Sequence, residues 1–129
     1  MSDEIQKYQG GLIQLLYQKQ GNVVSLQNDI LSLECVVAGT TFIKNVDEID
    51  KTLIEGQMLD LKREADNEYD NFAISIFTAD GCKIGYIPRD RNETLARLMD
   101  AGKWFYARVE EKNRKGKWLK IDIQVYLKD

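Results

Sequence analysis

One polar run, Arg63-Glu64-Ala65-Asp66-Asn67-Glu68-Tyr69-Asp70-Asn71, concentrates the groups of this chain that could do chemistry. Asp66 and Asp70 could accept hydrogen bonds from a ligand's hydroxyls or, with other carboxylates, hold Mg²⁺. Tyr69 could offer a stacking face beside polar groups that grip a ligand. The same residues have plainer uses. Asp and Asn at this density form side-chain-to-backbone turns, and Tyr69 could fold back onto the core as a lid. These residues alone leave both readings open.

The remaining chemistry is sparse. There is no histidine, which removes the commonest general base, the commonest zinc ligand and every Ser-His or Cys-His pair. Cys35 and Cys82 fall in apolar, strand-like segments and belong to no CxxC, so they read as reduced core residues of a cytoplasmic protein. No metal and no cofactor are expected. No apolar run approaches the ~20 residues of a membrane span, and the acidic start Met1-Ser2-Asp3-Glu4 is unlike a secretory signal. No membrane partner is expected, and an enzyme is the least supported class.

The net charge of −3 over 129 residues conceals a split. Residues 45–70 carry a net −6, and residues 103–120 carry a net +5 through Lys103, Arg108, Lys112, Arg114, Lys115, Lys117 and Lys120 against Glu110 and Glu111. A basic hairpin with aromatics suits a single strand, because cations follow phosphates and rings stack bases. Lysines also keep a solvated edge hairpin soluble and unpaired. Strand parity places Trp118 opposite the core run, with Lys120 and Gln124. Trp104 has no such argument and reads as packed.

The elements that must position these groups follow from periodicity. Residues 1–30 form an N-terminal extension, with a short amphipathic helix over about residues 11–19 and a strand or overlaid segment at Val23-Val24-Ser25-Leu26. From Leu31 the pattern is β: Leu31, Leu33, Cys35 and Val37 alternate with Ser32, Glu34 and Val36. Asn45 caps an acidic helix, and Met58–Arg63 is a second strand. Phe72–Thr78 is a third strand, turned by Asp80-Gly81 into a fourth, Cys82–Ile87, that stops at Pro88. Asp90 and Glu93 suggest a capping box for a helix with Leu95, Leu98 and Met99 on its apolar stripe, ended by Gly102. Two long strands follow, and in the last Leu119, Ile121, Ile123, Val125 and Leu127 share one face. The expected fold is mainly β with two short helices, in the order β-α-β-β-β-α-β-β. Its six antiparallel strands, each with one apolar face, bury those faces by closing into an OB-like barrel over residues 31–129.

Three pieces together resemble the HIRAN domain, above all its free-standing bacterial form: Val37-Ala38-Gly39-Thr40-Thr41-Phe42; Arg63 through Ile74, close to R-E-x-x-N-x-Y-D-x-x-A-I; and Lys83-Ile84-Gly85-Tyr86-Ile87-Pro88-Arg89. The resemblance covers roughly residues 31–128 and also implies an OB-like barrel. It implies binding of single-stranded DNA at a free 3′-hydroxyl end, in the setting of DNA repair. Carried over by position, Phe42 and Tyr69 would stack bases, Asp70 would take the 3′-hydroxyl, and Asn67 and Arg89 would hold phosphate. Trp118 lies near the family's third ring. Thr41 stands where DNA-binding members carry Arg, Tyr86 where they can carry His, and Glu68 where the family has Pro. A second class of function is a protein-interaction or regulatory adaptor on the same fold, with self-association or a protein partner engaged through residues 1–30.

Overall fold

The computed structural model describes residues 28–128, of which Leu31–Lys128 form one compact unit. The helix expected over residues 11–19 and the segment at 23–26 lie outside the described residues. The order is β1 (Ile30–Val36), a 3₁₀ turn (Thr40–Phe42), α1 (Val46–Thr52), β2 (Met58–Arg63), β3 (Ile74–Thr78) and β4 (Lys83–Tyr86). A second 3₁₀ turn (Arg89–Arg91), α2 (Glu93–Asp100), β5 (Phe105–Lys115) and β6 (Trp118–Leu127) complete it.

The strands form one sheet in the order β1-β6-β5-β2-β3-β4, antiparallel at β2–β3, β2–β5, β3–β4 and β5–β6. The segment after β1 bridges the two ends of that order. The Val37 N–H donates to Ile121 O of β6 at 2.8 Å, and Ala38 then exchanges backbone bonds of 2.8 and 2.9 Å with Tyr86 of β4. The curled sheet is thereby drawn shut around Leu59, Ile76, Ile84, Ile121 and Ile123, all fully buried. Each such side chain contributes about 1.5–3 kcal/mol by leaving water, so closing the sheet satisfies apolar faces and backbone groups together. Gly85 permits it. Its φ is +151°, and a Cβ there would lie 2.4 Å from Ala38 O and 2.5 Å from Val37 Cγ1.

Several local expectations are corrected. β3 begins at Ile74 rather than Phe72, because the Ala73 N–H donates to Asp70 O in a turn and the Arg63 guanidinium takes Ala73 O. Both faces of β3 are buried, and the Ser75 hydroxyl is satisfied by donating to Lys62 O at 3.2 Å. The β3–β4 connection is a three-residue loop, not a two-residue one. Gly81 N–H donates to Thr78 O, Thr78 N–H to Cys82 O, and Gly81 takes the left-handed conformation that ends such a loop. Asn92, not Asp90, precedes α2, with no side-chain cap bond; Asp90 sits in the 3₁₀ turn, so no capping box forms. On α2, Leu95 and Ala96 are buried while Leu98 is largely out. In β1, Leu33 and Cys35 pack on the core, but Leu31 is exposed. Gly102 does end α2, with Lys103 N–H closing onto Leu98 O at 3.0 Å.

The charge split is partly internal. Arg114 of the basic hairpin pairs with Asp47 at 3.0 Å and Asp50 at 3.3 Å, and Lys112 pairs with Asp50 at 3.4 Å. Arg108 Nη1 donates to Gly56 O at 2.9 Å. The acidic helix α1 and the basic hairpin thus hold each other, and part of the hairpin's positive charge is spent there.

Candidate functional site

The polar run between β2 and β3 is held from both ends. Arg63, at the end of β2, donates from Nη1 to Ala73 O at 2.8 Å and from Nη2 to Asn71 O at 3.1 Å. Its Nε and Nη2 also form a fork on the Asp100 carboxylate, at 2.9 and 3.1 Å. Inside the loop, Asn67 Oδ1 accepts from the backbone N–H groups of Tyr69 at 2.8 Å and Asp70 at 3.0 Å, the turn chemistry expected of such residues. Asn67 Nδ2 donates to Glu64 at 3.1 Å.

These bonds fix Tyr69 facing outward. Its side chain is 77% exposed, so it is not a lid on the core, and its carbonyl accepts from Arg89 Nη2 at 3.0 Å. Beside it, Asp70 Oδ1 accepts from Phe72 N–H at 2.9 Å and Oδ2 from the Asn92 amide at 2.8 Å. Burial opposes the Asp70 charge. The Phe72 N–H, the Asn92 amide and the Arg89 and Arg63 charges outweigh it, and its carboxyl lies below the usual range. Asp70 is therefore ionised at neutral pH with lone pairs to spare. Tyr69, Asp70 and Arg89 line one open cleft of about 350 Å³ with Phe72, Asn92 and the carboxylates of Glu68 and Glu93.

Phe42 lies elsewhere on the rim. It is 86% exposed on the first 3₁₀ turn and lines a separate cleft of about 380 Å³ with Lys83 and Tyr86. Glu64 joins the two places. It accepts from Asn67 on the loop side, from Tyr86 Oη at 3.0 Å and from Lys83 Nζ at 3.0 Å. Burial would raise the Glu64 pKa, but bonds from Lys83, Asn67 and Tyr86 bring it down to about 2. A carboxylate depressed in the fold stabilises it above the unfolded value near 4.3 and loses that contribution as pH falls toward 2. Urea titrations between pH 5 and 2 should therefore show stability falling with acid, and the fall should be shallower in Glu64→Gln.

Trp118 faces outward as parity requires, 39% exposed, with Lys115 Nζ 5.8 Å from its ring centroid. It lines neither of the clefts just described. Trp104, read as packed, is 74% exposed. Of the six expected site residues, the structure gathers Tyr69, Asp70 and Arg89 in one cleft, with Asn67 building their loop, and sets Phe42 and Trp118 apart. Three contributors were missed. Glu64 stood inside the motif without a role, Lys83 carried no signal beyond its charge, and buried Asn92 is 22 positions from the Asp70 it holds. Among the described residues no group of three or more His, Cys, Asp or Glu side chains could hold a metal ion, and no helix is long and apolar enough to cross a membrane. Both cysteines are free, and burial pushes the Cys35 thiol up to about 11 despite nearby Arg91.

A small curled antiparallel barrel whose rim carries exposed rings, an ionised carboxylate and a guanidinium belongs to the class of OB-like domains. Within that class, the HIRAN domain profile matches residues 30–128, and the chain belongs to that family. A crystal structure of a protein from Lactobacillus plantarum is similar, with 28% identity and a TM-score of 0.71 over 77% of this chain and 94% of that one. The HIRAN domain of human HLTF shares the fold at 20% identity, with a TM-score of 0.59 over 78% of this chain and 81% of that one. An NMR structure of the HLTF domain in its DNA-bound conformation gives 0.54 at 19% identity, over 79% and 81%. No curated protein matches significantly.

Proposed function

We propose that this protein is a non-catalytic, nucleic-acid-binding module that holds single-stranded DNA by a free 3′-hydroxyl end. The observation that carries the reading is the pairing of an exposed ring, Tyr69, with ionised Asp70 in one cleft of a HIRAN domain. That HLTF's domain has a DNA-bound conformation supports the class of ligand. A hydroxyl donates to Asp70 in a charge-assisted bond. A terminal phosphate would instead meet Asp70, Glu68 and Glu93, with Arg89 as the one cation among the described residues that line the cleft, and like charges repel. Phe42 and Tyr69 supply stacking faces, Trp118 a third, and Arg89 and the free N–H of Asn67 supply phosphate donors.

The test is fluorescence anisotropy of short oligonucleotides at low salt, with 3′-hydroxyl and 3′-phosphate ends compared. The hydroxyl end should bind more tightly, and equal affinities would refute the reading. Base stacking contributes about 1–3 kcal/mol, so Tyr69→Ala should weaken binding by roughly tenfold. Because Tyr69 is exposed, the variant's melting temperature should stay within about 1 °C of the unaltered protein.

A further inference from the structure

The cleft beside Phe42 has a chemistry opposite to that of the Asp70 cleft. Among the described residues its lining is Gly39, Phe42, Ile43, Lys44, Asn45, Lys83, Ile84, Gly85 and Tyr86, with two lysines and no carboxylate. Lys44 makes no hydrogen bond or ion pair among the described residues and is exposed. Lys83 is 3.0 Å from Glu64, which reaches it from the loop side, and its ammonium lies 2.5 Å from Tyr86 Oη and 4.4 Å from the Tyr86 ring centroid. That carboxylate fixes Lys83 and also offsets part of its charge, which leaves Lys44 as the unspent cation of the cleft. Two rings stand close by, Phe42 almost fully exposed and Tyr86 half-buried.

Resting on the reading of the Asp70 cleft as the seat of a strand's 3′ end, we infer that Lys44, with Lys83 behind it, forms a second subsite that holds an internal phosphate of the same strand. Asp70 disfavours a terminal phosphate and takes the terminal sugar, with Arg89 beside it for the adjoining linkage; the Phe42 cleft attracts a phosphate further along the strand and offers rings to the base attached to it. The Glu64 bridge between Asn67 and the Lys83–Tyr86 pair holds the two subsites in fixed relation. The sign of charge therefore sets the strand's polarity across the rim: hydroxyl at Asp70, phosphodiester at Lys44.

The experiment uses the full chain and a labelled single strand of about ten nucleotides with a 3′-hydroxyl, titrated at several salt concentrations. Lys44→Gln should weaken binding about threefold to fivefold and make the slope of log affinity against log salt shallower by about 0.7, one single-strand phosphate contact. Lys44→Glu should weaken it further. Neither variant should alter the preference for 3′-hydroxyl over 3′-phosphate. On a strand whose last few linkages are uncharged methylphosphonates, Lys44→Gln should have no effect. Unchanged affinity and slope in both variants, with the 3′-hydroxyl preference intact in the unaltered protein, would overturn the subsite and leave the Asp70 reading standing. Loss of the end preference in the unaltered protein would overturn both. Lys44 is exposed and unpaired, so its variants should melt with the unaltered protein.

Discussion

Gly85→Ala should destabilise the domain by about 2–4 kcal/mol, more than alanine at any other glycine among the described residues. The added carbon would sit 2.4 Å from the Ala38 carbonyl and 2.5 Å from the Val37 side chain. Neither can retreat cheaply: Ala38 is bound to Tyr86 by two backbone hydrogen bonds, and Val37 is buried and bonded to Ile121. Overpacking of this kind costs about 1–3 kcal/mol, and a side chain at positive φ adds strain of similar order. Against a total of about 5–15 kcal/mol for a domain, the loss is large, and it falls on the contact that joins the ends of the sheet. Urea denaturation followed by circular dichroism should give a midpoint shift of that size. A change under about 0.5 kcal/mol would show that the seam between the 37–38 segment and β4 does not hold the barrel closed. Gly56→Ala is the control, because a Cβ there meets nothing within 4 Å and only the conformational cost at φ +85° remains.

Asp70→Ala should act on binding and on stability, by separable routes. Loss of a charge-assisted bond to a 3′-hydroxyl removes about 1.5–3 kcal/mol, tenfold or more in affinity, and should bring the 3′-hydroxyl and 3′-phosphate affinities together because the repulsive charge is gone. The same change strands the Asn92 amide, which is 2% exposed, at a cost of about 1–3 kcal/mol. Adding Asn92→Leu removes the stranded group. The double variant should recover part of the lost stability and none of the lost binding, a non-additivity expected of residues in contact. Full binding in a stably folded Asp70→Ala protein would remove Asp70 from the site.

The acid response adds a sign that both carboxylates share. Asp70 and Glu64 are each depressed in the folded state, so each contributes stability above the ordinary carboxylate range and loses it below. Acid should therefore loosen the loop and the rim together, because Glu64 ties one to the other.

The order of elements, the barrel class and the buried face of the last strand were legible in the residues alone. Those follow from local rules: period-two alternation, turn residues, and one apolar face per strand that must be buried. Strand parity alone placed Trp118 outward, and the density of Asp and Asn between β2 and β3 marked a loop whose Asn67 does cap its own backbone. The motif letters singled out Tyr69, Asp70 and Arg89, which do share a cleft.

What lies beside what was settled by folding. Pairs separated by many residues have no periodic signature, so Asn92 behind Asp70, Asp100 on Arg63, and Glu64 between Lys83 and Asn67 could not be read from spacing. The charge split looked like a basic binding face; folding brought the acidic helix onto the basic hairpin and neutralised part of it. Tyr69 could have folded back as a lid, and the backbone bonds that hold its loop turn it outward instead. Local chemistry chooses the elements, but a site is made of long-range contacts, whose geometry is fixed only when the sheet closes at Gly85.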